Sequence, residues 1–490
     1  MFFMLIVSFY TTREVLRILG VEDYGVYNIV GGVVTLFTFI NGAMISTTQR
    51  FLNFEIGRGD AEGTKRVFNV SLLVHICIAF ILLILAETVG LWIVNKYLNI
   101  PSTKVWAANI VYQFSIFGTM INILKAPYNA AIIAYEKMSF FAYISVLEAI
   151  SKLSIVYLLL LSSQHLLEIY AFLGFVVACV FAVIYYVYCN KEFPICAFKI
   201  ERNGGIYKEL LSFSGWNLFG SFANLGVAQG LSILINLFFG VVVNASIGIA
   251  NQVNAAVYGF VSNFQVAFNP QIVKLYASNR LNEFTNLLIR TSKLSFCLMW
   301  ALALPILLCG NEYLSFWLGT VPTYTTQLCF LIMIMSLAEA IQGPLWSAVY
   351  ATGKIRNYQI CISILILLNL PVSYLFLKLG YSPGIIYVIR IILLIASLIY
   401  RLGYMKYNLN FSIREFCVQV CLPCLLVVCA SLPIPLLVFS QTTGVTNTIT
   451  TTLVSVMSTV ISIYYIGLTR NERLFIYNAI KTKLNFISCH

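Results

Sequence analysis

The chain has 490 residues, of which 60% are apolar and only 10% are charged, and its mean hydropathy is +0.89. A soluble domain is roughly 45–50% apolar and about 25% charged, so the composition excludes a soluble globular protein. Disordered, collagen-like and disulfide-rich secreted chains are excluded with it. The formal net charge of +12 would favour nucleic-acid binding in a soluble protein. In a membrane protein, however, lysines and arginines also set the orientation of the helices, so their distribution over the connections has to be examined first.

A transmembrane helix needs about 20 consecutive, mostly apolar residues. Runs of this kind recur along the whole sequence and predict an all-α polytopic membrane protein with about fourteen transmembrane helices. The predicted helices cover residues 1–19, 27–48, 67–94, 105–133, 140–161, 166–189, 210–239, 245–267, 291–318, 325–350, 358–379, 383–405, 416–439 and 447–468.

The first predicted helix has an unusual sequence, MFFMLIVSFYTTREVLRILG. It lacks the basic start and the small-residue cleavage site of a signal peptide. Arg13, Glu14 and Arg17 interrupt its apolar part. Either this helix lines a wet cavity, or Met1 lies inside a longer helix.

The thirteen cysteines and three histidines form no pattern typical of a disulfide framework or a metal site. Most cysteines stand singly inside apolar runs, where a free cysteine behaves as a small hydrophobic residue. The one CxxC pair, Cys421 and Cys424, encloses a proline within an apolar helix. Because the helices leave little length for a catalytic domain, we expect no metal, no cofactor and no enzymatic activity.

The lysines and arginines are distributed very unevenly over the predicted connections. Twenty-two of the thirty lie on one side of the membrane, three on the other and five within helices. The positive-inside rule therefore places both termini in the cytoplasm. The same asymmetry accounts for the net charge without nucleic-acid binding.

The two halves of the sequence resemble each other. Segments 19–32 and 239–252 match at an offset of about 220 residues, and segments 123–137 and 340–354 match at nearly the same offset. This repeat predicts a six-helix lobe in residues 1–200, a second in 201–410, and two further helices with a tail in 411–490. Since each unit has an even number of helices, a pseudo-two-fold axis along the membrane normal should relate the lobes, with the transport path at their interface. The matching pairs include Gly20/Gly240, Pro127/Pro344 and Lys137/Lys354.

Pro127 and Pro344 occupy equivalent positions near the end of the fourth helix of each unit. A proline removes one backbone hydrogen bond and permits a kink. Kinks at matching positions favour a pair of gates. The alternative is that each proline only sets the end of its helix.

Besides the residues assigned to the two membrane sides, five basic residues fall within predicted helices. Each charge costs about 2.5–3.5 kcal/mol near the bilayer centre, so these side chains should face protein or water. Arginine and lysine bind phosphate well, arginine through a planar fork. We therefore predict that they contact an anionic, phosphate-bearing substrate. The five are Arg13, Arg17, Lys125, Lys152 and Arg390.

Two of these assignments have simpler alternatives. Lys152 lies four residues after Glu148, so the two can form an internal salt bridge. Lys125 can direct its ammonium toward the cytoplasmic surface while its methylenes stay in the apolar region. The amide side chains of 217–265 are dense for membrane helices and can either bind sugar hydroxyls or bridge helices.

Three stretches carry a resemblance to a known family: LGVEDYGVYNIVGGVVTLFTFINGAMISTTQRFLNFEIGRGD, SFSGWNLFGSFANLGVAQGLSILINLFFGVVVNASIGIANQVN and VSNFQVAFNPQIVKLYAS. They resemble the Wzx-type polysaccharide or O-antigen flippases of Bacteroidetes, within the multidrug/oligosaccharidyl-lipid/polysaccharide (MOP) exporter superfamily, and the similarity runs along nearly the whole chain. The resemblance implies a MATE-like fold of two six-helix lobes in a V with two further C-terminal helices. Such flippases usually carry a further stretch before this point, so Met1 is expected to lie inside a longer chain.

The resemblance also implies functional positions. In the related lipid II flippase an Arg-Asp pair precedes the glycine turn and an arginine ends the second helix. Arg13-Glu14 and Arg50 match these positions, with Glu in place of Asp. Glu14 and Arg50 are therefore predicted to act as gate or charge partner, together with the two prolines.

The implied function is the transfer of undecaprenyl-diphosphate-linked oligosaccharide from the cytoplasmic to the periplasmic leaflet of the bacterial inner membrane. It serves polysaccharide biosynthesis for lipopolysaccharide O-antigen or capsule. Alternating access by rocking of the lobes would achieve it, and the sequence does not distinguish proton from sodium coupling. We expect a monomer in the lipid bilayer, with a glycan polymerase and chain-length machinery as partners and no nucleic acid. The alternatives are a MATE-type exporter of drugs or organic cations, which should carry more carboxylates in its cavity, and a membrane scaffold or glycan polymerase, which would not explain the repeat.

Overall fold

The computed structural model describes residues 2–96, 101–162, 165–199, 204–441, 444–470 and 472–473, and the regular structure in these ranges is helical. The prediction of an all-α protein is confirmed. Short π-helical segments interrupt longer helices at Ala86–Gly90 and Cys417–Cys421, and a third, Ile463–Gly467, ends the helix that precedes it. The helices are α1 (Phe2–Arg58), α2 (Ala61–Leu85), α3 (Leu91–Lys96), α4 (Val105–Ala134), α5 (Met138–Leu159), α6 (Leu166–Glu192), α7 (Gly204–Ala277), α8 (Leu281–Leu318), α9 (Thr325–Ala351), α10 (Arg356–Leu367), α11 (Asn369–Lys378), α12 (Ile385–Leu409), α13 (Ile413–Phe416), α14 (Leu422–Ser431), α15 (Pro433–Gln441) and α16 (Val445–Ser462).

Eleven helical segments of the described part are long and apolar enough to cross a membrane. The protein is a multi-pass integral membrane protein. This number is compatible with about fourteen crossings, since α1 also contains the first two predicted helices.

The two longest helices each contain a single glycine break. Gly20 in α1 has φ 78° and ψ 169°, and Gly240 in α7 has φ 78° and ψ −172°. A positive φ with an extended ψ is accessible almost only to glycine. The sequence repeat aligned these two residues, and the structure gives them the same backbone conformation.

Several predicted boundaries were wrong because the helices extend beyond their apolar runs. Residues 49–58 and 268–277 were predicted as connections but continue α1 and α7, and α8 begins at Leu281 rather than 291. The hydropathy pattern marks where a helix leaves the hydrocarbon. It does not mark the helix end, because polar residues continue the same backbone hydrogen bonds in water.

The chain divides into two compact units. Unit 1 comprises residues 1–221, 273–280 and 350–356, and unit 2 comprises 222–272, 281–349 and 357–490. The end of α7 and the last residues of α9 therefore belong to unit 1. The predicted lobes, 1–200 and 201–410, and the additional segment 411–490 stay a prediction.

Unit 1 contains two hydrophobic cores. One surrounds Phe68 and Leu52 near the predicted cytoplasmic end, and the other surrounds Tyr112 and Ile116 nearer the opposite end. In both cores, α4 supplies buried residues. This central position of α4 places Lys125 between its neighbours α5 and α6.

Unit 2 is tied together by buried polar contacts as well as by apolar packing. The indole Nε1 of Trp300 donates to Ser431 Oγ at 2.8 Å, so this tryptophan packs inside the protein. The buried Lys293 ammonium lies 2.8 Å from Glu472 Oε2. That carboxylate also accepts from the backbone N–H of Thr469 at 2.8 Å, so it connects the end of the described chain to α8.

Candidate functional site

The first half of α1 presents two arginines and one carboxylate. Arg17 Nη2 lies 2.6 Å from Glu14 Oε2, and the exposed fractions of these side chains are 66% and 8%. Arg13 is exposed, and no described residue forms an ion pair with it. The acid is buried and the two guanidinium groups remain accessible, so this segment offers positive charge.

The two predicted lysines share a single carboxylate. Lys152 Nζ lies 3.0 Å from Glu148 Oε1, and Lys125 Nζ lies 3.8 Å from Glu148 Oε2. The salt bridge expected between residues 148 and 152 is present. Lys125 also lies over the ring of Tyr185 at 5.3 Å. Neither lysine is isolated, but one carboxylate balances only one of the two charges.

Arg390 belongs to unit 2 and also has an acidic neighbour that is distant in sequence. Its Nη2 lies 3.7 Å from Glu339 Oε1, and both side chains are about one quarter exposed. Nearby on α9, the Ser336 hydroxyl donates to Asn254 Oδ1 at 2.7 Å. This polar group combines side chains from α7, α9 and α12.

Pro127 and Pro344 lie inside helices. α4 continues past Pro127 to Ala134, and α9 continues past Pro344 to Ala351. The alternative that these prolines set the helix ends was therefore wrong, since in each case seven residues follow in the helix. Their role as gates stays a prediction.

Arg50 is buried, with only 6% of its surface exposed, near the end of α1. Its Nε donates to the carbonyl oxygen of Tyr350 at 3.2 Å, and its Nη2 donates to that of Ala351 at 3.1 Å. These carbonyls are among the last four of α9, which have no partner within the helix. Arg50 therefore caps the C-terminus of α9, where a positive charge is also favoured by the helix dipole.

The guanidinium of Arg50 is enclosed by aromatic rings. Its Cζ lies 4.5 Å from the ring centroid of Phe51, 4.8 Å from that of Phe54 and 5.4 Å from that of Phe213. Glu209 and Glu55 contribute an attractive charge interaction. Arginine suits such a site because a planar, weakly hydrated cation can stack on rings while its edge donates hydrogen bonds.

A hydrogen-bond network around Asn217 supports the contact between Arg50 and the end of α9. The Asn217 amide nitrogen donates to the carbonyl of Ala43 at 2.9 Å and lies 2.7 Å from Ser46 Oγ. Its amide oxygen accepts from the Tyr350 hydroxyl at 2.6 Å. Asn217 thus bridges helices, and Tyr350 is held by both its backbone carbonyl and its side chain.

The sequence interpretation missed two buried arginine contacts of this kind. Arg401 was one of the twenty-two basic residues assigned to the cytoplasmic side, but it is only 7% exposed, and its Nε donates to the Tyr358 hydroxyl at 2.6 Å. Arg401 Nη1 donates to the carbonyl of Gln342 at 3.0 Å. Arg50 was predicted as a gate or charge partner, but its partners at the end of α9 were not foreseen. The position of Arg401 inside an apolar run was the available signal.

Solved structures with a similar backbone identify the architecture. A multidrug resistance MATE family transporter of the MOP superfamily, in an outward-facing conformation, superposes with a TM-score of 0.70 at 13% identity over 84% of this chain and 94% of the other. The chain has the fold of MATE transporters. A MATE structure in the straight conformation gives a TM-score of 0.70 at 13% identity, over 83% of this chain and 92% of that one. A MOP superfamily transporter from Pyrococcus furiosus, described as having a binding pocket of reversed polarity, gives 0.68 at 13% identity, over 83% and 93%.

Comparison of sequences gives a weaker relationship. The uncharacterized membrane protein EpsK of Bacillus subtilis (strain 168) is 22% identical over 356 residues, which cover 70% of this chain and 68% of EpsK. No family model matches the chain.

Proposed function

We propose that this protein flips undecaprenyl-diphosphate-linked oligosaccharide from the cytoplasmic to the periplasmic leaflet. The observation that carries the proposal is the charge balance inside unit 1. The four basic side chains predicted on α1, α4 and α5 have, among the described residues, only two carboxylates as ion-pair partners, Glu14 and Glu148. The surplus positive charge matches an anionic substrate, since unpaired charges within a bilayer are costly.

The arrangement on α1 supports contact with a diphosphate. Tyr10, Arg13 and Arg17 are spaced i, i+3 and i+7, so they share one face of the helix. The Tyr10 hydroxyl lies 2.9 Å from that of Tyr157, which places this face beside α5. Residues 13 and 17 differ by about 6 Å along the axis. A phosphate group leaving one guanidinium can therefore be taken up by the next.

The direction of transport follows from the charge of the substrate. A membrane potential of about 100 mV, negative inside, contributes roughly 2.3 kcal/mol for each negative charge that moves outward. In the proposed cycle the diphosphate binds the basic side chains, the glycan occupies a polar cavity and the polyprenyl chain remains in lipid. Rocking of the lobes then exposes the head group to the periplasm.

The proposed location is the bacterial inner membrane. The distribution of lysine and arginine supports the inner membrane with both termini in the cytoplasm. There the protein would act as a monomer and pass its product to a glycan polymerase and the chain-length machinery.

A MATE-type exporter of drugs or organic cations is the second candidate, because one neighbour in fold is a multidrug resistance transporter. Glu339 is the feature that favours it, since a carboxylate inside unit 2 could neutralise a cation. Its pairing with Arg390 at 3.7 Å argues against this use.

One experiment distinguishes the two candidate functions. Arg13→Ala should lower surface polysaccharide at unchanged protein level and cause lipid-linked oligosaccharide to accumulate, while Arg13→Lys retains part of the activity. Arg58→Ala is the matched control, because Arg58 is an exposed arginine at the other end of α1. Unchanged polysaccharide in Arg13→Ala contradicts the role of this residue. Resistance to cationic dyes on expression, without any effect on polysaccharide, would favour the exporter.

A further inference from the structure

A groove of about 670 Å³ lies within unit 1, at a distance in sequence from the arginines of α1. Its walls come from α2, α4, α6 and the segment after α6. The lining is almost entirely apolar and includes Leu72, Ile76, Leu124, Val183 and Phe198.

The groove opens sideways from the helix bundle. Ile76, Val183 and Tyr186 are all exposed, whereas Tyr128 on α4 is buried and forms the floor. Because α2, α4 and α6 cross the membrane, these exposed side chains face hydrocarbon. An unfilled groove would leave its lining without dispersion contacts on one side, so a hydrocarbon chain is the natural occupant.

The charged residue that lines the groove directs its charge away from the groove. Lys125 directs its ammonium toward Glu148 and the Tyr185 ring. Its methylene stem therefore lines the groove, in the way long basic side chains usually lie along apolar surface. The interior thus favours an uncharged chain.

The end of the groove that is predicted to face the cytoplasm is basic and well ordered by hydrogen bonds. Asn69 Oδ1 accepts from the backbone N–H of Lys199 at 2.9 Å, directly after Phe198. Asn69 Nδ2 donates to the carbonyl of Lys65 at 3.0 Å. Asn69 therefore connects the lysine-bearing first turns of α2 to the lysine-bearing segment after α6. Lys191 lies in the last turn of α6.

We propose that this groove binds one anionic glycerophospholipid of the inner leaflet. An acyl chain lies along Val183 and Leu124, and the phosphate contacts Lys65 and Lys199. The lining of α6 runs from Cys179 to Tyr186, a rise of about 10 Å, which fits within one leaflet of a hydrocarbon core about 30 Å thick. A long polyprenyl chain would extend well past the groove, so the groove suits a resident lipid and does not depend on the proposed function.

The test measures lipid retained by the purified full-length protein. The protein is extracted from vesicles containing equal amounts of phosphatidylglycerol and phosphatidylcholine, and bound lipid is counted by native mass spectrometry. We expect one phosphatidylglycerol per wild-type protein and its loss in Val183→Trp, where the indole fills the groove. Leu425→Trp is the matched control, because Leu425 is an equally exposed residue on α14 that does not line the groove. A monodisperse elution profile and an unchanged thermal unfolding midpoint verify folding of both variants.

A double variant tests whether the two lysines recognise the lipid head group. Lys65→Glu combined with Lys199→Glu should reduce the preference for phosphatidylglycerol over phosphatidylcholine at least fivefold. Lys96→Glu, at the end of α3 and predicted to lie on the opposite side of the membrane, should leave it unchanged. Equal retention of lipid by wild type and Val183→Trp would overturn the proposal. So would equal retention of the two phospholipids by wild type, or displacement of phosphatidylglycerol by an equimolar polyprenyl phosphate.

Discussion

α1 carries arginines in two opposite environments. Arg13 and Arg17, before the Gly20 break, keep their guanidinium groups exposed, whereas Arg50, 30 residues after that break, is 6% exposed and donates to two carbonyl oxygens. The same residue type thus serves two purposes. The exposed pair leaves hydrogen-bonding capacity for a ligand, and the buried arginine uses it to cap the end of α9. Variants at the two regions should accordingly separate transport from stability.

The largest effect on stability is expected for Arg50→Ala. The change leaves the carbonyls of Tyr350 and Ala351 without their donors and removes a side chain packed among three aromatic rings. Hydrogen bonds from a charged group contribute about 1.5–3 kcal/mol each. We expect a loss of about 3 kcal/mol or more, measured as a lower thermal unfolding midpoint in detergent. Arg50→Lys should recover only a part, because one ammonium cannot reproduce the planar fork. An unchanged midpoint in Arg50→Ala would show that the cap is dispensable.

Gly353→Ala should have the next largest effect. Gly353 has φ 75°, and a Cβ at this position would clash with Arg50 Nη2. The left-handed conformation alone costs about 1–2 kcal/mol for a residue with a side chain. Gly403→Ala, on α12 with open space around it, is the control and should not destabilise. If Arg50→Lys relieves part of the penalty, the steric conflict with the guanidinium is confirmed.

Asn217→Ala should cost about 1–2 kcal/mol. The substitution removes the partner of the buried Tyr350 hydroxyl and the donor to Ala43. Thermal unfolding would be compared with Asn408→Ala, because Asn408 is exposed and bonds to the preceding turn of its own helix. Equal midpoints for the two variants would remove Asn217 from the network.

The smallest effect on stability is expected for Arg13→Ala. An exposed residue without an ion-pair partner among the described residues changes the free energy of unfolding by less than about 0.5 kcal/mol. Transport should nevertheless fall, if the proposed function holds. If the unfolding midpoint of Arg13→Ala drops as far as that of Arg50→Ala, Arg13 is as important for stability as the buried Arg50.

Much of the fold could be predicted because apolar runs report membrane crossings directly. Each of the fourteen predicted helices overlaps a helical segment of the structure, and the repeat correctly paired Gly20 with Gly240. The ends of helices could not be predicted, since the polar continuations of α1 and α7 carry no apolar signal. Among the candidate site residues, the pair Glu148 and Lys152 was readable from its i,i+4 spacing.

The sequence by itself determined that this chain is a membrane protein, that it crosses the bilayer many times and that five of its basic residues interrupt apolar helices, because the cost of placing charge in hydrocarbon depends on the residue and its neighbours in sequence. Only the tertiary structure decided the state of those charges. Lys125 meets Glu148, Arg390 meets Glu339 and Arg50 meets the end of α9 across 23, 51 and 300 residues of sequence. Such partners come together through helix packing, and no local pattern encodes which helices become neighbours.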